Sequence, residues 1–282
     1  MVSEERPALA AADVQDSLWR VGIAEGDALL VHSDMMAVWV EPFPPDRLVP
    51  FFLENLLRAI GEDGTLAVPA FYYEYARRGK PFDTRRSPVS KSLGVFSRHV
   101  ASLPEASRSL NPITSIAAVG RLAGWICGGN TAISNGIDSP WHRLVEADGK
   151  MVFLGAQIKA MTFVHYVEHL VGVPHLYSKL YSTPVSRDGI AVDLPVVAQV
   201  RYLNYDIEYD LGRFEADLES AGLIRTAPVG GGEIKVLSFR EVQALLSEKL
   251  QRDCFYLLKR RPAFRAGEIP TDGDTDGQVA GS

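Results

Sequence analysis

Short apolar runs alternate with amphipathic segments up to about residue 175, and this alternation predicts an α/β fold. Helices are predicted over 46–61, where Asp46 can cap the helix and Gly61 ends it, and over 94–103. Strands buried on both faces and separated by helices favour a mixed, largely parallel central sheet with helices on both faces. The buried strands are predicted at ALLVHS (28–33), GTLAVPAF (64–71), SIAAVG (115–120) and KMVFLGA (150–156).

The pattern changes after about residue 175, where β-rich runs and turn signals predict hairpins. One hairpin is predicted to turn at Arg187-Asp188-Gly189, and three consecutive glycines at 230–232 mark another. A charged amphipathic helix is predicted between them, and Ser238 can cap a last helix. We therefore expect a single domain over 9–264, with an α/β core (about 9–175), an α+β layer with hairpins (about 176–264) and flexible tails at 1–8 and 265–282.

Composition and charge exclude several classes of function. The chain has 282 residues, 46% of them hydrophobic and 23% charged, and its formal net charge is -6. This balance is typical of soluble enzymes and argues against a nucleic-acid partner. Two cysteines, Cys127 and Cys254, are too few for a disulfide framework or a zinc knuckle. We find no membrane-spanning run and no signal-peptide pattern, so we expect a cytoplasmic protein with no membrane partner.

The segment MTFVHYVEHL (161–170) concentrates the candidate chemistry and fits two different motifs. His165, Glu168 and His169 give H-x-x-E-H, the ligand pattern of inverted zinc metallopeptidases. Such a zinc hydrolase needs a further carboxylate ligand far downstream, and any chain of this composition offers several glutamates. Thr162, His165 and Glu168 give T-x-x-H-x-x-E instead, which makes a zinc-free acid–base role the alternative to a metal site.

His165 and Glu168 are three residues apart, a spacing that places both side chains on one face of a helix, where they could act as an acid–base pair. Thr162 is a candidate N-cap, which makes His165 the third residue of the helix and places Glu168 on the same face. A helix N-terminus disfavours a positive imidazolium, so the His165 ring is expected to be neutral and able to accept a proton. A carboxylate one turn along can fix its tautomer. A histidine and a glutamate three residues apart also occur as ordinary surface pairs, so the spacing leaves a structural role open.

Seven segments in one order resemble those of a known enzyme family. They are LLVHSDM, GTLAVPAF, PFDTRRSPVSKSLG, RSLNPITSIAAVG, SPWHRL, ADGKMVFLGA and TFVHYVE, and the resemblance runs from about residue 15 to residue 260. Together they resemble the aminoglycoside 3-N-acetyltransferases, antibiotic-resistance enzymes, and their relatives that acylate nucleotide-linked amino sugars. The resemblance implies an acyl-CoA-dependent N-acyltransferase of α/β/α type that needs no metal. Its co-substrate is expected to be acetyl-CoA or a longer or hydroxylated acyl-CoA.

The resemblance also assigns roles to residues of this chain. His165 is expected to be the general base, with Glu168 supporting it and Thr162 nearby. The resemblance implies contacts to acyl-CoA from His32, Ser33 and Asp34 at the end of the first strand, and from Arg108 and Ser115 in RSLNPITS. Aromatic and amide side chains near the cleft are expected to contact the sugar: Tyr72, Tyr73 and Asn111. Cys127 has no histidine or aspartate neighbour in sequence and is expected to be a buried apolar residue rather than a nucleophile.

Two departures from the family pattern bear on the acceptor. Asn111-Pro112 stands where resistance enzymes usually have His-Pro, and Asp34 stands where they usually have serine. The stretch from Arg77 to Arg98 is rich in arginine and lysine, which suits an anionic group better than a polycation. We therefore favour, by a small margin, a nucleotide-linked deoxyamino sugar over an aminoglycoside. An inactive relative that only binds CoA or a partner has the least support, and the sequence leaves a homodimer open.

Overall fold

A mixed sheet of seven strands lies at the centre of this computed structural model, which describes residues 9–129, 132–265 and 267–271. All the strands, in chain order, are β1 (Ala28–Ser33), β2 (Thr65–Pro69), β3 (Phe82–Asp83), β4 (Ser107–Arg108), β5 (Ile116–Gly120), β6 (Lys150–Leu154), β7 (Leu176–Tyr181), β8 (Val185–Arg187), β9 (Ile190–Val192), β10 (Val196–Arg201), β11 (Arg225–Val229) and β12 (Gly232–Ser238). The central sheet has the order β11-β12-β6-β1-β2-β5-β4.

The α-helices cover both faces of this sheet. In chain order they are α1 (Ala11–Arg20), α2 (Met35–Val38), α3 (Pro45–Ile60), α4 (Tyr73–Arg78), α5 (Gly94–Ala101), α6 (Ala123–Cys127), α7 (Pro140–Glu146), α8 (Val164–Val171), α9 (Gly212–Ser220) and α10 (Phe239–Arg252). The predicted α/β class with a mixed sheet is therefore confirmed. No helix in the described ranges is both long and apolar enough to cross a membrane.

Parallel pairing is confined to the middle of the sheet. β1 pairs in parallel with β2 on one side and with β6 on the other. Both flanks are antiparallel, since β5 pairs against β2 and β12 pairs against β6. The sheet is thus less parallel than the sequence suggested. Continuous apolar runs report burial on both faces of a strand, but they carry no information on strand direction.

Two hydrophobic clusters, one on each face, explain why the strands are apolar throughout. On β1, Leu29 and Val31 pack towards α1, α3 and α5, whereas Leu30 packs towards α6, α7, α8 and α10. On β6, Met151 and Phe153 belong to the same cluster as Leu30, called here the second cluster. Each fully buried leucine contributes about 1.5–3 kcal/mol. The second cluster also holds α8, the helix that carries His165 and Glu168, against the sheet.

The two predicted hairpins are present, but they belong to different parts of the fold. The β8–β9 hairpin turns at Asp188 and Gly189, both at positive φ, and forms a small sheet with β3. The β11–β12 hairpin extends the central sheet instead, so residues 225–252 are part of the α/β body rather than of an added layer. Gly230 is required at its turn, because a Cβ there would collide with the Val38 carbonyl oxygen.

Helix ends were predicted with mixed success. Gly61 ends α3 as expected, and the Ser238 side chain caps α10 by accepting from the Glu241 N–H. Asp46 is not the cap of α3, which begins one residue earlier at Pro45. Proline suits a first helical position because its missing N–H would have no partner there. Of the predicted tails, residues 1–8, 266 and 272–282 lie outside the described residues.

Candidate active site

A cleft of about 330 Å³ opens beside the start of α8, between the central sheet and the β7–β10 pair. Tyr73, Thr162 and His165, all expected in the site, line it. The rest of its lining comes from several chain segments that are distant in sequence: Phe71, Ile113, Thr114 and Asn135 before α8, and Leu176, Gln199, Arg201 and Tyr209 after it. None of these described lining residues is an aspartate or a glutamate.

His165 and Glu168 form a hydrogen-bonded pair at the wall of this cleft. The His165 Nδ1 atom lies 2.7 Å from the Glu168 Oε2 atom, across one turn of α8. The His165 side chain is 37% exposed and the Glu168 side chain is 0% exposed. The imidazole therefore faces the cleft, whereas the carboxylate is sealed behind it.

Two further side chains donate to the same buried carboxylate. His175 Nε2 lies 2.9 Å from Glu168 Oε1, and the Tyr209 hydroxyl lies 3.0 Å from Oε2. Burial raises the pKa of the Glu168 carboxyl, but hydrogen bonds from His165 and His175 outweigh it and hold that pKa below its ordinary value. Burial and the adjacent carboxylate raise the pKa of Tyr209, so its hydroxyl stays protonated. Glu168 is therefore an ionised acceptor.

This arrangement fixes the tautomer of His165. An ionised carboxylate only accepts hydrogen bonds, so the proton of a neutral His165 ring resides on Nδ1. The lone pair on Nε2 is then left free to accept a proton, and among the residues that the structure describes Nε2 has no hydrogen-bond partner. A neutral imidazole backed by a buried carboxylate can act as a general base and bear the resulting charge.

Thr162 lines the cleft but does not cap α8, contrary to the sequence-based expectation. The cap position is Phe163, and it makes no side-chain capping bond, so His165 is the second helical residue. The first turn is tight: His165 N–H donates to the Thr162 carbonyl oxygen (3.1 Å) and Tyr166 N–H donates to that of Phe163 (3.0 Å). Main-chain oxygens thus satisfy donors that a threonine hydroxyl would otherwise serve.

The residues expected near acyl-CoA at the end of β1 take three different roles. His32 is buried and stacks on Phe153 with ring centroids 5.0 Å apart, and burial lowers its pKa to about 4. His32 Nε2 and Ser33 Oγ are buried without a partner among the described residues. Asp34 caps α2, where its Oδ1 atom accepts from the Met36 and Ala37 N–H groups. His32 and Ser33 therefore keep unused hydrogen-bonding capacity, but neither residue lines the cleft.

Arg108 and Ser115 hydrogen-bond to the main chain instead, and only Arg108 Nε is left buried without a partner among the described residues. The Arg108 guanidinium donates to the carbonyl oxygens of Ser87 and Ala70 and lies 4.8 Å from the Phe82 ring centroid. Ser115 Oγ donates to the same Ala70 oxygen at 2.5 Å. Burial lowers the pKa of Arg108 to about 10. Both side chains hold the segment after β2, which carries Phe71 and Tyr73 into the cleft.

Two of the three residues expected to contact the sugar lie elsewhere. Tyr72 is buried in a cluster with Phe82 and does not line the cleft. Asn111 is buried too, and it ties the loop before β5 by donating to the Ala132 carbonyl oxygen and accepting from the Ile113 N–H. The chain turns into α4 at this point: Tyr72 is the cap position and packs with Phe82, whereas Tyr73 is the first helical residue and lines the cleft.

Sequence reasoning gave no role to His175 and overlooked Tyr209, the two other donors to Glu168. They lie 7 and 41 residues from Glu168 along the chain, and no local spacing signals either contact. The structure also replaces the H-x-x-E-H interpretation, because Glu168 is shared by His165 and His175. In the described part of the chain, no group of three or more histidine, cysteine, aspartate or glutamate side chains is arranged to hold a metal ion.

Comparison with known proteins finds relatives over most of the chain. A family profile described as aminoglycoside 3-N-acetyltransferase matches residues 30–251. The chain is 31% identical to aminoglycoside N(3)-acetyltransferase IV of Salmonella sp over 246 residues, which is 86% of this chain and 87% of that protein. It is 28% identical to aminoglycoside N(3)-acetyltransferase III of Pseudomonas aeruginosa over 194 residues, which is 63% of this chain and 70% of that protein.

Solved structures show the same likeness. The crystal structure of the aminoglycoside acetyltransferase AAC(3)-IVa apoenzyme superposes with a TM-score of 0.72 at 27% identity, covering 90% of this chain and 92% of that chain. A variant of the same enzyme in complex with a gentamicin gives a TM-score of 0.73 at 27% identity, covering 90% and 93%.

Proposed function

The chain belongs to the aminoglycoside 3-N-acetyltransferase family, and on that premise we propose that it transfers an acetyl group from acetyl-CoA to an amine of an aminoglycoside. Family membership makes it an acyl-CoA-dependent N-acyltransferase. The observation that carries the proposal is the 2.7 Å pair of His165 and Glu168 at the wall of the cleft. The relatives favour an aminoglycoside acceptor over the nucleotide-linked sugar that the sequence analysis preferred.

In this proposal His165 acts as the general base. Its Nε2 atom takes a proton from the acceptor nitrogen as that nitrogen bonds to the acyl carbon, and Glu168 stabilises the imidazolium that forms. Acetyl-CoA supplies the acyl group as a thioester. When the carbon–sulfur bond breaks, the His165 proton is available to the departing thiolate, so the ring returns to its neutral state. The products are an amide and free CoA thiol, and the protein forms no covalent bond.

The last two residues of β1 have polar atoms that suit a ligand with amide and hydroxyl groups. His32 Nε2 and Ser33 Oγ are buried polar atoms without a partner in the described structure, and a pantetheine chain offers donors and acceptors for both. Arg108 and Ser115 contribute indirectly, because they fix the segment after β2. Asp34 is a cap of α2 and adds negative charge, so we assign it no contact with phosphate.

Neutral polar groups would hold the acceptor in the cleft. Thr114, Thr162 and Gln199 line it, and so does Asn135, whose Oδ1 atom is buried without a partner among the described residues. Amide and hydroxyl oxygens can accept hydrogen bonds from an ammonium or a hydroxyl of a sugar. They attract a polycation less strongly than carboxylates do, so the proposal favours acceptors that bring few ammonium groups into this cleft.

Arg201 supports a second candidate, a nucleotide-linked amino sugar. The Arg201 side chain lines the cleft, and its Nη1 atom donates to the Ile207 carbonyl oxygen at 3.2 Å. Within the described residues no carboxylate forms an ion pair with Arg201. An unneutralised guanidinium beside the cleft suits a phosphate on the acceptor. Because of this free positive charge, the activity assay includes nucleotide-linked amino sugars as acceptors.

The test is release of free CoA thiol by the purified protein, with gentamicin, apramycin and kanamycin in one set of reactions and deoxythymidine-diphosphate-linked amino sugars in another. Mass spectrometry should find an aminoglycoside product heavier by one acetyl group. Turnover of nucleotide-linked sugars alone would select the second candidate. No thiol release with any amine, from protein that is folded and binds CoA, would reject both.

A further inference from the structure

His175 is a second imidazole on the carboxylate that supports the base. Its Nε2 atom lies 2.9 Å from Glu168 Oε1, on the oxygen that His165 does not use. The His175 side chain is 0% exposed, and its ring packs near Tyr209 and Phe255, with ring centroids 6.1 and 5.9 Å apart. It does not line the cleft, so it cannot touch an acceptor that lies there.

The surroundings of His175 indicate which ring nitrogen carries its proton. Its Nδ1 atom is buried and has no partner in the described structure. A protonated ring would leave a charged N–H group buried and unpaired, which is far costlier than an unused lone pair on a neutral ring. The geometry therefore places the proton that His175 donates to Glu168 on Nε2, and Nδ1 is left unused.

Glu168 supplies the negative charge of this group, and every titratable side chain that faces it donates to it. From α8 the donor is His165, from the segment before β7 it is His175, and from the loop before α9 it is Tyr209. Arg201 on β10 acts on Tyr209 rather than on Glu168. His169, next to Glu168 on α8, makes no bond to the carboxylate.

Helix α10 packs on α8 with buried side chains that are all apolar: Phe239, Val242, Leu246 and Leu250.

We propose that His175 is a positioning residue that acts on the base through Glu168: as a buried donor to Oε1, it holds the carboxylate oriented towards His165. This inference rests on the proposed function, because His165 must be the base for the orientation of Glu168 to matter. His165 and His175 hydrogen-bond to different oxygens of the carboxylate. Rotation of the carboxylate away from His165 would therefore break the His175 bond as well.

Removal of the His175 donor should move the acid limb of the pH–rate profile in one direction. The carboxylate loses one hydrogen bond to its charged form and becomes more basic. A more basic carboxylate either stabilises the His165 imidazolium more strongly or takes up a proton itself. Catalysis needs a neutral His165 and an ionised Glu168, so both routes move the acid limb of the pH–rate profile to higher pH. A variant that merely folds less well would lose rate equally at every pH.

The experiment compares two substitutions at this position. Gln places an amide N–H close to where His175 Nε2 lies, whereas Phe fills the space without a donor. We expect His175→Phe to lower kcat about tenfold with an unchanged KM for the acceptor, and to raise the acid limb by about one pH unit. His175→Gln should restore most of kcat and return the limb towards its wild-type position. Unchanged kcat and pH profile in His175→Phe, or equal losses in both variants with no shift of the limb, would overturn the inference.

A second readout needs no turnover and separates this inference from the proposed function. In protein labelled with ¹⁵N-histidine, NMR can follow all six imidazoles as the pH is varied. We expect the ¹⁵N signals to place the His175 proton on Nε2, and the ¹⁵N signals of His165 to change in His175→Phe because Glu168 loses the donor that orients it. A His175 proton on Nδ1, or His165 signals that are the same in both proteins, would contradict the inference even if the acceptor proposed here proved wrong.

Discussion

His165 and Tyr209 share a single oxygen atom: both donate to Oε2 of Glu168, at 2.7 and 3.0 Å. Their rings also pack edge to face, with centroids 5.2 Å apart. Tyr209 thus links the C-terminal part of the chain to the acid–base pair on α8, and it lines the cleft as well. The site is complete only when these two parts of the fold are together.

Replacement of Tyr209 by phenylalanine should separate its hydrogen bond from its packing. The ring remains against His165, but Oε2 loses one donor. We expect kcat to fall about tenfold, the size expected for one hydrogen bond to a charged group, and KM for the acceptor to change as well. Steady-state kinetics measure both. A variant with wild-type kcat across the pH range would show that Tyr209 is only a packing residue.

Arg108→Met tests whether Arg108 is structural. Its loss leaves the Ser87 carbonyl oxygen without this donor and removes a guanidinium that covers Phe82. We expect the free energy of unfolding in urea to fall by about 3 kcal/mol. The matched control is Arg85→Met, because Arg85 is 55% exposed and should change stability by less than about 0.5 kcal/mol. Equal stabilities of the two variants would contradict the structural assignment.

The stability of the protein should depend on pH through His32. Burial lowers the pKa of this ring from 6.5 to about 4 in the folded chain, so between these values the unfolded chain binds a proton that the folded chain does not. Burial of the neutral His32 ring therefore does not reduce the free energy of unfolding above pH 6.5. As the pH falls from 6.5 towards 4, the unfolded chain takes up a proton on His32 and the free energy of unfolding decreases. Between pH 7 and pH 5 the loss is about 2 kcal/mol. His32→Phe should flatten urea denaturation midpoints over this interval, and an unchanged slope would count against a neutral His32.

Arg201→Gln should alter acceptor preference rather than the chemistry. Removal of a positive charge from the cleft should raise kcat/KM for acceptors with many ammonium groups by about fivefold, which corresponds to about 1 kcal/mol. kcat at saturating acceptor should stay the same. Arg121→Gln removes an equal charge from a side chain that pairs with Asp63 outside the cleft and is the control. If both variants respond alike, or neither responds, Arg201 does not set the preference.

Local sequence patterns correctly predicted the positions of strands and turns. Apolar runs located β1, β2, β5 and β6, and glycines located the hairpin turns, because both signals reside within a few residues. The spacing of His165 and Glu168 likewise predicted that they share a helical face. Strand direction and the addition of β11 and β12 to the sheet were missed, because they depend on contacts between distant segments.

The same limit explains what was missed in the site. Tyr72 and Tyr73 look alike in sequence, and only the path of the segment after β2 decides that Tyr73 alone enters the cleft. Asn111 was expected near the sugar from its position in a motif, yet both ends of its amide are used by the main chain. His175 and Tyr209 meet Glu168 only through the tertiary fold.

The central claim is that His165 is the base for acyl transfer to an amine, and turnover by His165→Ala tests it most directly. Thiol release should fall at least ~100-fold in kcat, whereas the affinity for CoA, measured by calorimetry, should stay within about twofold. Glu168→Gln should cost less, because it leaves the imidazole in place. Near-wild-type thiol release by folded His165→Ala, with the same acceptor and the same pH profile, would contradict the account.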